Sequence, residues 1–271
     1  MRKLFAVLCL VAVSTAGSAA SPDADTAAAF HQYVQLTEQR INADVEKNGS
    51  FLWIDTQPPN RRSDLQNGLR QGGVIIERLR TRDGQKPIEA PDGLIHHWMG
   101  VVFVPGVSVK EAVALMQDYD RHSTYFAPAI AASKMLGRDN GRFKVSLRFH
   151  VKKVITVTMD TDNDAEFFHP APDRAHSRIR STRVTEIADA GTPQKKAVPA
   201  GDDHGFMWNL NTYWRFLERD GGTYIQCESL TLSRDVPFAL AWIIRPIVTQ
   251  MPKESLNFTM GKLREALVKL H

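Results

Sequence analysis

Cysteine is nearly absent: the 271 residues contain two, Cys9 and Cys227. A disulfide-stapled small scaffold is therefore excluded. Charge of one sign is lacking too. The 34 Lys and Arg stand against 30 Asp and Glu, a formal net charge of +4, with no basic block or aromatic-basic array to suggest a nucleic-acid surface. Glycine (17) and proline (14) are not enriched, which excludes collagen-like and low-complexity chains. Missing as well are a phosphate-cradling glycine loop between strand and helix, a nucleophile elbow around Ser233 or Ser255, and a ligand spacing among His150, His169, His176 and His204. His96 and His97 are adjacent, so in a strand they point to opposite faces and cannot chelate one metal. No cofactor is called for. With 43% hydrophobic residues and mixed charge, a globular enzyme or binding protein remains.

The longest apolar run at the amino end, Leu4 to Val13, follows Arg2 and Lys3 and precedes a small-residue stretch, Ser14 to Ala20. This is the three-part layout of a secretory signal peptide, with cleavage expected after Ala20. Roughly ten apolar residues are too few to span a hydrocarbon layer of about 30 Å as a helix. The expectation is an exported protein, periplasmic or secreted. Losing Arg2 and Lys3 takes the net charge from +4 to +2, and losing Cys9 leaves Cys227 alone. Cys227 sits in a strand-like run without a histidine partner and reads as a core residue, not a nucleophile.

Residues 21–90 read as a mixed region covering one side of a main domain, residues 91–271. Phe30, Val34, Ile41 and Val45 recur at helical spacing from Asp25 to about Lys47, and Asn48-Gly49 ends that helix. Phe51-Leu52-Trp53-Ile54 suits a short strand. In the main domain Leu94 to Val104 reads as a strand, and Ser108 caps a helix bearing Val109, Val113 and Met116 on one side. Strands follow over Ile130 to Leu136, Phe143 to Lys152, Val154 to Met159, Ala175 to Ile187, Phe206 to Leu217 and Thr223 to Ser233, linked by short turns that favour antiparallel pairing. Asp189 to His204 reads as a loop. After Val236 to Val248, where Pro246 and Pro252 mark breaks, Leu256, Met260, Leu263, Leu267 and Leu270 form one apolar stripe on a terminal helix.

Strand, helix, six antiparallel strands and a long terminal helix resemble the START-like (SRPBCC) superfamily, with its polyketide cyclase/dehydrase, ubiquinone-binding and birch-pollen-allergen branches. The resemblance is carried by Asp118-Tyr119 through Tyr125-Phe126-Ala127-Pro128, by Tyr213-Trp214-Arg215-Phe216 with Asp220-Gly221-Gly222-Thr223, and by Leu232 to Pro237 leading to Pro252 to Leu256. It covers about Leu94 to Leu270 and implies an α+β helix-grip fold: a curved antiparallel sheet of about seven strands wrapped on the terminal helix. Such a fold implies a hollow able to take a hydrophobic small molecule, such as a lipid, quinone or polyketide. The expected wall is Phe143, Val145, Leu147 and Phe149 on one strand, then Phe206, Trp208, Leu210, Trp214 and Phe216 on another, faced by Leu256 and Met260. A few hundred Å² of buried ligand surface would contribute several kcal/mol at about 25 cal/mol per Å².

Three alternatives stand beside this binding role. The same residues could fill a solid core. A cyclase or dehydratase could use Arg215, Asn209, Asn211 or Glu228, although their parity opposes the aromatic set and reads as a solvated face with an Arg215–Glu228 pair. A closed domain could dock an envelope protein through residues 21–90. Arg174, Arg178 and Arg180 with His176 line one side of a strand, which reads as a wet face or a transient membrane-surface contact.

Overall fold

The computed structural model describes residues 21–46, 50–152, 156–199, 202–235 and 241–270, with side chains described from Thr249 onward in the last segment. The expected leader, residues 1–20, lies outside the described residues, as do 236–240 of the apolar segment that precedes the terminal helix.

The alternating segments after Ile130 form long antiparallel strands: β5 (Ile130–Asp139), β6 (Arg142–Lys152), β7 (Thr156–Ala171) and β8 (Arg174–Ala188). They are followed by β9 (Lys196–Ala197), β10 (Asn209–Arg219) and β11 (Gly222–Arg234). Before them come α1 (Ala24–Glu46), a single 3₁₀ turn (Trp53–Thr56), α2 (Pro59–Arg70), β1 (Ile75–Arg78), a small hairpin of β2 (Arg82–Asp83) and β3 (Lys86–Pro87), β4 (Gly93–Pro105), α3 (Val109–Gln117) and the one-turn α4 (His122–Tyr125). The chain ends in α5 (Ala241–Val268). The strand order is β1-β4-β11-β10-β8-β7-β6-β5, antiparallel throughout, with β9 paired to β8. The fold is α+β, with the terminal helix laid on one face of a large antiparallel sheet, as in helix-grip proteins.

Two hairpins are fixed by residues that tolerate positive φ. Asn140 (φ 43°) with Gly141 (φ 81°), and Asp220 (φ 60°) with Gly221 (φ 76°), each make a two-residue loop whose twist matches the flanking strands. Helix α3 starts where Ser108 Oγ accepts the Glu111 amide at 3.3 Å, while the Glu111 carboxylate accepts the Ser108 amide at 2.9 Å. Helix α5 reaches the sheet at Gly100. A Cβ there would meet Met260 Cγ at 2.8 Å and Leu256 Cγ at 3.3 Å, so this crossing requires a residue without a side chain.

Several expectations are corrected. Phe51 to Ile54 is not a strand. Phe51, Leu52 and Ile54 are all buried, and the Asp55 carboxylate accepts the Leu52 amide at 3.0 Å, which bends the segment into the 3₁₀ turn. Helix α5 runs unbroken through Pro246 and Pro252. Strand β7 extends twelve residues past Met159, because Thr161, Asn163, Ala165 and Phe167 continue the buried parity with polar residues between them. The sheet has nine strands: β1, from the amino-terminal region, pairs Ile75–Arg78 with Trp98–Val101 of β4, and β9 forms inside the 189–204 segment. Strand β4 has no wet face at all. Trp98, Val102 and Val104 enter the core under α5, whereas Met99, Val101 and Phe103 pack with Phe51, Leu52, Ile54 and Leu69 on the other side.

Candidate functional site

On the inner face, between the sheet, α5 and the segment from α3 to Ile130, lies a cavity of about 420 Å³. Strands β6 and β7 run along it in successive rungs: Val145 opposite Asn163, Leu147 opposite Thr161, Phe149 opposite Met159 and Val151 opposite Val157. At about 3.3 Å per residue these six steps span roughly 20 Å. Ile179 of β8, Leu210 and Trp214 of β10, Cys227 of β11 and Leu256 of α5 complete the sheet and helix walls. Met116, Tyr119, His122, Phe126 and Ile130 close the side opposite.

Of the expected wall residues, Val145, Leu147, Phe149, Phe206, Leu210, Trp214 and Leu256 do face the cavity. Phe143 does not. It packs against Tyr119 (5.5 Å between ring centroids) and Phe167 (5.6 Å), forming an aromatic plug at the end where β6 begins. Phe216 and Met260 are fully buried in the same core but sit beyond the wall, Met260 at the Gly100 crossing. Trp208 lies on the opposite side of the sheet, grouped with Phe30, Tyr33 and Leu232 and beneath the Arg234 guanidinium. Strand parity does not extend back to it, because β10 begins only at Asn209. Met116, Tyr119, His122 and Phe126 come from helical and irregular segments without a period-two signal, so strand alternation does not find them. Asn163 was missed because β7 was ended too early.

No Lys, Arg, Asp or Glu among the described residues lines the cavity. Its polar groups are neutral. Thr212 faces Ser229 across β10 and β11, and Thr231 faces His96 across β11 and β4. His96 Nε2 lies 3.1 Å from Ser233 Oγ, and burial, with the Arg78 charge nearby, pushes its pKa down to about 4. His122 is likewise pushed down to about 4 by burial, against the opposing pull of the Met116 carbonyl, which accepts its Nε2 hydrogen at 3.1 Å, and of Asp118. Both imidazoles are uncharged at neutral pH. Burial raises the Cys227 thiol well above its ordinary value, so it is no nucleophile. Among the described residues no group of three or more His, Cys, Asp or Glu is placed to hold a metal ion, and no helix is long and apolar enough to cross a membrane.

The residues weighed as an acid or base lie elsewhere. Arg215 and Glu228 are 2% and 1% exposed on the outer face, not solvated, because α1 covers them. Glu228 pairs with Arg40 of α1, with His97 Nε2 at 2.7 Å and with Arg215 at 3.9 Å. Tyr33 Oη accepts the Thr81 amide at 2.7 Å and lies 3.0 Å from His97 Nδ1, which orients the ring so that Nε2 donates to Glu228. Burial pushes the Glu228 carboxyl up, but the bond from His97 and the charges of Arg40 and Arg215 prevail and hold it down at about 2. The arginine row is partly covered as well: Arg180 meets Glu38 of α1 at 2.6 Å and Arg178 bonds Asn42. The row is an intramolecular seam against α1, half-buried at Arg178 and open to solvent at Arg180.

The class defined by fold and site is a helix-grip α+β protein enclosing an apolar, uncharged cavity. No family model and no curated protein matches the sequence. Solved structures are similar in general arrangement. An aromatase/cyclase from a Streptomyces species has 13% identity and a TM-score of 0.45, covering 64% of this chain and 94% of its own. A START superfamily protein from Mycobacterium smegmatis has 12% identity and a TM-score of 0.42, covering 66% and 99%. A STAR-related lipid transfer protein from Xanthomonas axonopodis has 14% identity and a TM-score of 0.41, covering 70% and 98%.

Proposed function

We propose that the chain is an exported binding protein that carries or sequesters a hydrophobic small molecule in the cavity between sheet and α5. The observation that carries this reading is an interior space of about 420 Å³ walled by Phe, Leu, Val, Ile, Met and Trp, without a charged group among the described residues. Interiors are normally packed to near-crystalline density, so a space of this size lined by apolar groups is suited to a guest. Carriage is favoured over turnover because Arg215 and Glu228 are committed to each other and to α1 behind the sheet, and Asn209 and Asn211 share their parity on β10. Export rests on the Arg2-Lys3, apolar and small-residue pattern of the first twenty residues, and a mature chain starting at Ser21 in the culture medium or periplasm would bear it out.

The test is native mass spectrometry of protein purified from an exporting host. The expected result is a retained adduct of lipid-like mass in the wild type that is lost in Leu147→Trp, whose indole would occupy the cavity. That variant should keep its unfolding free energy within about 1.5 kcal/mol of wild type while ligand uptake falls at least tenfold. Absence of any adduct, together with no thermal shift from a panel of lipids, quinones, long-chain alcohols and ketones, would overturn the reading.

A further inference from the structure

The chain has five tyrosines, and four of their hydroxyls are bonded within the protein. Tyr33 bonds His97 and Thr81, Tyr125 donates to Asp118 at 2.6 Å, Tyr213 to Glu38 at 2.8 Å and Tyr224 to Asp220 at 2.9 Å. The fifth, Tyr119, is 2% exposed, stands on the cavity wall, and its hydroxyl has no hydrogen-bond partner among the described residues. Buried tyrosine hydroxyls are normally satisfied, and one left bare loses the hydration it had in the unfolded chain. Here the ring packs against His122 (4.7 Å between centroids) and Phe143 (5.5 Å), which holds it at the cavity wall.

Resting on the binding role above, we propose that Tyr119 Oη anchors the ligand, and that the ligand is an uncharged, mostly hydrocarbon molecule with an alcohol or carbonyl oxygen at one end. That oxygen sits against Tyr119 at the plugged end of the cavity, and the hydrocarbon extends along the β6–β7 rungs past Leu147 and Phe149. The hydroxyl donates to a carbonyl, and it both donates to and accepts from an alcohol. A carboxylate or phosphate at the same place would be stripped of water with no Lys or Arg among the described wall residues to meet it.

The proposal is tested by displacement of Nile red, whose uptake by wild type and loss in Leu147→Trp shows that it reports on the cavity. Four probes of similar length are compared at pH 8: 1-dodecanol, 2-dodecanone, dodecane and dodecanoate. Wild type should bind dodecanol and dodecanone at least tenfold more tightly than dodecanoate. Tyr119→Phe should weaken dodecanol and dodecanone about five- to tenfold, leave dodecane unchanged, and leave the ligand-free melting temperature equal or higher. Equal binding of dodecanol by wild type and Tyr119→Phe, tighter binding of dodecanoate, or a ligand-free variant that melts several degrees lower would each overturn the anchor while leaving the cavity reading in place. Failure of all four probes and of Nile red itself to bind wild type would instead overturn the cavity reading.

Discussion

The two faces of one sheet handle buried polarity in opposite ways. On β11 the inward residues are Cys227, Ser229 and Thr231, and the outward ones are Gln226, Glu228 and Leu230. On β10 Thr212 and Trp214 turn in, whereas Tyr213 and Arg215 turn out. The outer face buries ions, and the partners are supplied by the chain itself: Arg40, Glu38 and Asn42 from α1, the Phe51 carbonyl accepting from Arg215 at 2.8 Å, and Asp55 receiving Arg219 at 2.9 Å. Among the described residues the cavity wall carries no ion; Glu186, opposite Met159 on the same face, is buried beyond the wall and is held by His204 and by the amides of His204 and Phe206. A buried charge needs its partner permanently present, whereas a neutral hydroxyl or imidazole can tolerate a guest that comes and goes. Within a single strand, alternation therefore separates what holds the protein together from what leaves room for a ligand.

The strongest way to break this contrast is Glu228→Ala. Removing a carboxylate buried between His97, Arg215 and Arg40 leaves Asp44, at 3.5 Å, as the remaining counter-charge of the buried Arg215 and should lower the unfolding free energy by about 3–5 kcal/mol, read by urea titration at pH 7.5. An effect under 1 kcal/mol would mean that the outer ions are not the clamp described here.

Acid should sharpen the contrast, because the cavity imidazoles and the outer Glu228 carboxylate titrate in different ranges. His96 and His122 have folded pKa values near 4 against an ordinary 6.5. Between those values the unfolded chain binds protons that the folded chain does not, so stability falls as pH drops from 6.5 toward 4. The loss is up to about 1.4 kcal/mol per pH unit for each imidazole. His176, stacked on Phe168 on the outer face and also held near 4 mainly by burial, adds to the same range. Glu228 behaves differently. Its contribution is complete above about pH 4.5 and is lost only as pH falls toward 2. His122→Phe should thus flatten the stability profile between pH 6.5 and 4, and Glu228→Gln should leave that slope untouched. Identical slopes in His122→Phe and wild type would refute the assignment of His122 as a buried neutral group. The smallest expected effect is at the margin of the seam. Arg180 is nearly half exposed, so Arg180→Ala should cost under about 1 kcal/mol and less still in high salt.

Much of the inner face was legible because it is built from strands. The alternation from Phe143 to Lys152 placed Val145, Leu147 and Phe149 on the wall, and the stripe from Leu256 to Leu267 placed α5 over the sheet. Tyr119, His122 and Asn163 were not legible as wall residues, since the first two lie in short helical turns and the third follows a strand end drawn too early. The outer face was misjudged for a different reason. A row such as Arg174, Arg178, Arg180 looks wholly wet in sequence, and only the docking of α1, whose Glu38 and Asn42 are 136 or more residues away, makes it a partly covered seam. Trp208 was assigned inward by counting parity through residues that precede the strand.

Strand β4 is where every layer of the protein meets. It is bordered by β1 on one side and β11 on the other, roofed by α5 through Gly100, and floored by the Phe51 to Leu69 segment. Cutting the chain near residue 90 would accordingly not release a free-standing cup. It would strip one flank and the underside from β4 and take from Glu228 and Arg215 their partners Arg40, Asp44 and the Phe51 carbonyl.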